Sequence, residues 1–229
     1  MAVFDALYRD VRDYFGREPD ALLARFDGEL RAGGRVLDLG AGQGRHALYL
    51  ARRGRAVDAL EPSIVAAGQL QALASEENLP LRTFAQGFET FSPDMEHYAG
   101  ILLFGLIQEL PVDSIRPLME RVGAWTDAGS LALVTAFTTA DPAYPEVSRT
   151  WRGIGKNSFV SEAGFVKTFL EKNELRVLFD GWEALHYWEG LGPEHRHGSE
   201  PPHHHGRVEA AFRKNTGPAM PFGTMHRGG

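Results

Sequence analysis

Two groups of residues have types and spacing suited to chemistry. The first is Val36-Leu37-Asp38-Leu39-Gly40-Ala41-Gly42-Gln43-Gly44, followed 17 residues later by Glu61-Pro62. A buried strand that ends in closely spaced glycines lets the chain turn at once into a helix and lets a ligand approach the backbone. The spacing is G-x-G-x-G, one residue shorter than the G-x-G-x-x-G of dinucleotide binders. Asp38 stands inside the strand end, where it can face a cationic group. Glu61 stands at the end of the next strand, where a carboxylate can accept hydrogen bonds from both hydroxyls of a ribose. The second group is a cluster of histidines. Of the nine in the chain, five (His195, His197, His203, His204 and His205) fall in one late segment. Imidazoles can bind a metal, hold an anion when protonated, or take a proton when neutral. A solvated loop without chemistry accounts for them equally well.

The elements that must position these groups follow from hydropathy. Phe4, Leu7, Tyr8, Val11 and Phe15 recur at helical spacing, so the chain opens with a helix over 3–15, and a second covers 19–30. Strands are expected at 35–39, 56–60, 81–85, 100–104, 131–137, 183–188 and 207–213. Helices are expected at 46–53, 64–77, 114–125 and 162–172. Strands alternating with helices predict an α/β fold: a doubly wound, seven-stranded, mostly parallel sheet with a final antiparallel strand and helices on both faces. Residues 1–229 read as one domain. It has an N-terminal helical segment (1–32), an aperiodic stretch at 141–160 expected to act as a lid, and the His-rich loop at 191–206. That loop leaves the carboxyl edge of the sheet, where ligands bind in such folds.

Composition narrows the classes. The apolar fraction of 43% supports an ordinary core, and the absence of cysteine excludes disulfides, thiolate metal sites and a thiol nucleophile. A net charge of -6 with mixed signs argues against DNA as partner. No run approaches the roughly 20 apolar residues of a membrane span, and no leader pattern is present, so a cytoplasmic protein is expected. Oligomeric state is not legible.

The motif Val36–Gly44 together with Glu61 resembles the class I S-adenosylmethionine (SAM)-dependent methyltransferases, over roughly residues 33–140. That resemblance implies SAM as cofactor and S-adenosylhomocysteine (SAH) as product. Asp38, Gly40 and Gly42 would surround the methionine moiety, with Gly44 and Arg45 beside them. Glu61 would bind ribose next to Pro62. Gln86, Gly87 and Phe88 would meet the adenine. The family often carries Asp where Gln86 stands, and an amide oxygen can accept the same hydrogen bond. Phe88 is equally at home in the core. Phe104 and Leu106 would line the cofactor pocket. The strand end Phe104–Glu109 lacks the D/N-P-P-Y-type motif of enzymes that methylate base or amide nitrogens.

Arg45 after the glycines, Trp182-Glu183, and Glu194-His195-Arg196 are similar to the tellurite-resistance branch and its small-molecule relatives. This predicts an enzyme, a methyltransferase acting on a small acceptor that includes anions and metalloid oxyanions. A displacement at a sulfonium methyl asks the protein mainly for alignment and exclusion of water. Arg45, Arg196 and the loop histidines can hold an anion, while His195 or His197 can take a proton from a hydroxyl or amine. Tyr14 and Phe15 can close over the cofactor. A metal in the His loop is possible but not favoured, and no metal ligand is assigned. The rival readings are a non-catalytic SAM-binding adaptor on the same fold and a methyltransferase of macromolecules.

Overall fold

Short apolar runs decide the architecture. Val36–Leu39 (β1) and Val57–Leu60 (β2) are buried at every residue, as strands covered on both faces must be. They alternate with Leu81–Phe84 (β3), Tyr98–Phe104 (β4) and Thr126–Phe137 (β5) and with the helices that join them. The computed structural model describes residues 4–94, 97–194 and 202–216.

Before the sheet, the chain forms Asp5–Asp10 (α1) and Ala21–Phe26 (α2). Arg45–Arg52 (α3), Ile64–Glu76 (α4) and Val112–Ala124 (α5) connect the parallel strands. After β5 come Tyr144–Thr150 (α6) and three short strands, Arg152–Gly155 (β6), Ser158–Val160 (β7) and Val166–Thr168 (β8), which form an antiparallel sheet of their own. Glu174–Leu178 (α7), Trp182–Leu191 (β9) and Gly206–Lys214 (β10) complete the fold. The main sheet has seven strands in the order β3-β2-β1-β4-β5-β10-β9. Strands β1 to β5 pair in parallel, and β10 runs antiparallel to both its neighbours.

Alternation along the strands splits the core into two layers. Leu37, Leu39, Ile101, Leu103 and Val134 face α5 and α7, through Ile115, Leu118, Val122 and Leu175. Val36, Val57, Leu102, Leu131 and Leu133 face α2, α3 and α4, through Leu22, Leu23, Leu50 and Leu70. Helices therefore cover both faces, as the hydropathy pattern requires. Among the described residues no helix is long and apolar enough to cross a membrane.

Three expectations need correction. The helix expected over 3–15 stops at Asp10, because Asp13 (φ 56) and Gly16 (φ 82) turn the chain in the left-handed region. The stretch 141–160, expected to lack regular structure, holds α6, β6 and β7. Asn157, at φ 51, makes the turn between the two strands. The helix expected over 162–172 is absent. Gly164, at φ 88, turns the chain into β8 instead, and a helix begins only at Glu174.

One charged group lies inside this frame. Asp58 of β2 is fully buried. Its Oδ1 accepts from Arg35 Nη1 at 2.9 Å and from Arg82 Nε at 2.7 Å. Its Oδ2 accepts from Arg82 Nη2 at 2.7 Å and from the Tyr98 hydroxyl at 2.8 Å. The carboxylate thereby joins β2, β3 and β4 and the residue that leads into β1. Removing Asp58 leaves the buried Tyr98 hydroxyl without its acceptor and takes a carboxylate from Arg35 and from Arg82, which keeps Asp94. Asp58→Ala is expected to cost about 3 kcal/mol, read as a lower urea midpoint at unchanged slope. A midpoint equal to the parent's would refute this role.

Candidate ligand site at the carboxyl edge of the sheet

The turn after β1 is built by hydrogen bonds from its own backbone. The N–H groups of Gly40 and Ala41 both donate to the Leu60 carbonyl, at 2.9 Å each. The N–H of Gly42 donates to Glu61 Oε2 at 2.8 Å, and that of Ser63 to Glu61 Oε1 at 2.8 Å. Glu61 is buried, so its carboxylate is clamped between the glycine turn and the start of α4. Burial pushes its pKa up, the two N–H donors pull it back, and the charge of Asp5 raises it again. The Ser63 hydroxyl donates to Asp5 and caps α4 by accepting from the Ala66 N–H. Gly44 explains the short spacing of the motif: a Cβ there would fall 2.2 Å from Leu70 of α4. The helix can start this early only because nothing projects from residue 44.

Asp38 points its charge into a dry place. It is buried, and its Oδ2 has no hydrogen-bond partner among the described residues. Burial pushes its carboxyl up to about 7, against the pull of the Ala47 N–H and the Arg45 guanidinium, and the Glu61 charge adds to the rise. Arg45 donates to the Phe15 carbonyl at 2.9 Å. Burial lowers its pKa, while the charges of Asp20 and Asp38 support its protonated form.

Beyond the glycines, the ends of β1, β2 and β3 enclose a cavity of about 70 Å³. Gly40, Pro62, Gln86, Gly87 and Phe88 line it together with Leu106. Phe88 is also buried in the main core cluster, so its two expected roles coincide. Phe104 ends β4 and stacks on His46 of α3 with centroids 4.2 Å apart. His46 is buried, and burial lowers its pKa, which keeps it neutral.

The N-terminal segment roofs this edge. Gln43, the residue between the second and third glycines, donates to the Val11 carbonyl at 2.9 Å and accepts from the Tyr14 N–H at 2.8 Å. Its amide also donates to Gln69 Oε1, and Gln69 in turn donates to the Tyr8 carbonyl, each at 2.9 Å. Tyr8 is buried against the turn, with its hydroxyl 3.2 Å from where a Cβ on Gly42 would lie. Burial, with Glu61 and Glu109 nearby, keeps that hydroxyl protonated. Phe15 packs edge-on to Tyr8 and Tyr14. Phe4 meets Phe165, next to β8, with centroids 5.5 Å apart. The roof is thus made from both the N-terminal segment and the inserted sheet.

The other half of the edge lies past β4 and β5. Glu109, in the turn after β4, is pushed up to about 7 by burial, against the opposing charge of Lys167 on β8. Lys167 sits 5.4 Å from the ring of Phe137, the last residue of β5. His205 stacks on the same Phe137 ring, with centroids 4.0 Å apart. His205 Nδ1 lies 2.8 Å from Asp141 Oδ2.

Sequence reasoning placed the glycine turn, Asp38, Glu61, Pro62, Gln86, Gly87, Phe88 and Phe104 along one edge, and the fold brings them there. It weighed Glu109 only as an acceptor-facing or a solvated residue, and it missed the parts played by Tyr8, Gln43, Gln69, Lys167 and Asp141. His195, Arg196 and His197 lie outside the described residues. Trp182 pairs with Lys214 and Glu183 with Arg213, at the end of the sheet away from the glycine turn. The consecutive histidines diverge: His204 Nδ1 lies 2.9 Å from the Gly192 carbonyl, while His205 turns to Asp141. Among the described residues no group of three or more His, Asp and Glu side chains is gathered to hold a metal ion.

Gln43→Ala removes both ties from the turn to the N-terminal segment. Losing a net hydrogen bond of about 1 kcal/mol is expected to speed exchange of the Tyr14 amide roughly fivefold. Hydrogen exchange resolved by residue checks this, with the core amide of Leu50 as the unchanged reference.

Known proteins share this frame. The family described as "Tellurite resistance protein TehB" matches residues 28–203. Hemagglutinin 1 of Eikenella corrodens is 32% identical over 164 residues, which are 70% of this chain and 48% of that protein. A probable S-adenosyl-L-methionine-dependent methyltransferase TehB of Haemophilus influenzae is 28% identical over 163 residues, 71% of this chain and 50% of its own. The chain therefore spans about half the length of these relatives. Among solved structures, the 1,6-didemethyltoxoflavin-N1-methyltransferase of Burkholderia thailandensis superposes with a TM-score of 0.64 at 18% identity, covering 93% of this chain and 85% of that one. That structure contains 1,6-didemethyltoxoflavin and S-adenosylhomocysteine. With three quarters of its length matched by one family, the chain belongs to the TehB family.

Proposed function

We propose that the protein is a SAM-dependent methyltransferase that acts on a small-molecule acceptor. The observation that carries this reading is the Glu61 clamp. A buried carboxylate sits at the end of β2, fixed by the Gly42 and Ser63 N–H groups, beside the cavity bordered by Pro62, Gln86 and Gly87. Each carboxylate oxygen has a lone pair beyond the one its N–H partner uses, so both ribose hydroxyls of a nucleoside can be held at once. The unpartnered oxygen of Asp38 suits the ammonium of the methionine moiety. Arg45 lies beside it for the carboxylate, and Gln86 and Phe88 border the adenine position. SAM supplies an activated methyl group, and the protein's part is to align donor and acceptor and keep water out. The name of the Haemophilus relative and the ligands in the Burkholderia structure support the same reading.

The roof argues for a small acceptor. The contact between Phe4 and Phe165 spans the edge, so whatever reaches the Glu109 side passes beneath two covering segments. A polymer would need an open face there.

Glu61→Ala is expected to weaken SAH binding by about 1–3 kcal/mol, ten- to a hundredfold, the scale of losing charge-assisted hydrogen bonds. Calorimetry on the folded variant checks this, and unchanged affinity would overturn the assignment.

Asp38 gives a pH signature. Its free carboxyl titrates at about 7, and an ammonium partner favours the ionised form, lowering its pKa in the complex. Binding below pH 7 must therefore release a proton, and SAH affinity is expected to rise from pH 6 to pH 8. Calorimetry in buffers of different ionisation enthalpy measures the proton count. Equal affinity at both pH values, with no proton released at pH 6, would exclude an ammonium at Asp38.

A further inference from the structure

The turn that leaves β4 carries a carboxylate that the cofactor reading leaves unused. Gly105, at φ 68, starts this turn, and its N–H donates to Thr135 Oγ1 of β5 at 3.1 Å. Ile107–Glu109 then form a single turn of 3-10 helix. Leu106 before it and Leu110 after it both line the cavity at the glycine turn. Leu106 comes so close that a Cβ on Gly40 would lie 3.1 Å from its Cδ1. Glu109, between these two leucines, therefore stands at the wall of the cavity. It is half-buried, so a small molecule can reach it. Among the described residues its carboxylate accepts no hydrogen bond and joins no ion pair.

The inserted sheet holds this turn in place. Thr168 Oγ1 of β8 donates to the Leu110 carbonyl at 2.6 Å. Ser158 Oγ of β7 lies 2.6 Å from Thr168 Oγ1 and accepts from the Val112 N–H at 3.2 Å. Both hydroxyl residues are buried. The titratable groups that act on Glu109 come from the two roof segments: Lys167 of β8 and Tyr8 of α1. β5 meets the turn through the neutral Thr135. The Tyr8 hydroxyl, next to Gly42, feels the charge of Glu61 as well, so it stands between the ribose-side carboxylate and Glu109.

Charge decides what such a wall accepts. Glu89 lines the same cavity, and Asp38 and Glu61 belong to the same edge. The nearby cations are engaged: Arg45 donates to the Phe15 carbonyl, and Lys167 sits over the Phe137 ring. An oxyanion would meet more carboxylates than cations, and like charges repel strongly where water is scarce. A neutral amine meets the opposite situation. Taking the methyl makes its nitrogen positive, beside a carboxylate that has no other partner.

We propose that Glu109 receives the acceptor as a catalytic residue facing the transferred methyl, and that the acceptor is a small amine. This rests on the methyltransferase reading and narrows its substrate class. The nitrogen lone pair forms the new bond to the methyl carbon, and the carbon–sulfur bond breaks with its electron pair going to sulfur, which becomes neutral. The nitrogen, now positive, gives its N–H proton to the Glu109 carboxylate, and that proton later leaves to solvent. The free carboxyl titrates at about 7, so it can take up and release a proton near neutrality.

The test uses the full chain and two probes of the cofactor site: SAH, and sinefungin, the SAM analogue whose amine takes the place of the transferred methyl. Calorimetry gives the ratio of sinefungin to SAH affinity, in which the effect of Asp38 on the shared methionine end cancels. In the wild type this ratio is expected to rise from pH 6 to pH 8, as Glu109 ionises opposite the ammonium. Glu109→Gln is expected to bind SAH like the wild type, which also reports that it folds. Its ratio is expected to fall about tenfold at pH 8 and to stay level with pH. Labelled SAM then compares benzylamine and piperidine with tellurite as acceptors, and the wild type is expected to methylate tellurite no faster than the amines. The sinefungin ratio decides whether or not a probe amine turns over. A wild-type ratio level with pH, a Glu109→Gln ratio within twofold of wild type at pH 8, or tellurite methylated faster than both amines would each overturn the proposal. Absence of SAH binding to the wild type would remove the methyltransferase reading itself, and the proposal with it.

Discussion

A single carboxylate at the end of β2 holds the ligand edge in shape. Glu61 accepts from the glycine turn on one oxygen and from the start of α4 on the other. Through Ser63 and Asp5 the same cluster reaches α1. Burying a charge costs free energy unless hydrogen bonds compensate it, and here the compensation comes from backbone groups that the turn must place in any case. The turn, the helix start and the roof are therefore coupled to one group. Asp58 does the equivalent work inside the sheet, where Arg82 and Tyr98 meet it from β3 and β4 and Arg35 from the residue before β1.

Above this frame the edge divides into two chemical environments. The half over β1, β2 and β3 offers fixed acceptors in dry surroundings, Glu61 and the open oxygen of Asp38. The half past β4 and β5 holds Glu109, whose carboxyl burial pushes up to about 7, and the hydrogen-bonded contact of His205 with Asp141. Tyr8 stands at the border, close enough to both Glu61 and Glu109 that their charges act on its hydroxyl.

Much of the frame was legible because it rests on local rules. Fully buried parallel strands must be short apolar runs, and Val36–Leu39, Val57–Leu60 and Tyr98–Phe104 are such runs. The glycine turn was legible because a strand-to-helix reversal with an early third glycine has few other uses. The inserted sheet was not. Strands β6, β7 and β8 are three or four residues long and only partly buried, so they carry no alternation to read. The same shortness made 162–172 look helical, since Phe165, Phe169 and Leu170 fall at helical spacing although Gly164 turns the chain. The paired groups of the site were hidden for another reason. Asp141 and His205 are 64 residues apart, and Gln43 meets Val11 across 32. No spacing rule joins such residues. One signal was available: Gly206 directly after His205 marks a close approach of backbones.

The place of β10 between β5 and β9 has a consequence for biosynthesis. The half of the edge that holds Asp38, the glycine turn and Glu61 draws its strands from residues 36–104. The other half is complete only with Gly206–Lys214, which pairs with both β5 and β9. A chain growing on the ribosome thus makes the strands of the glycine-turn half before β10. The contacts of Asp141 with His205 and Gly206 form only after residue 206 has been made.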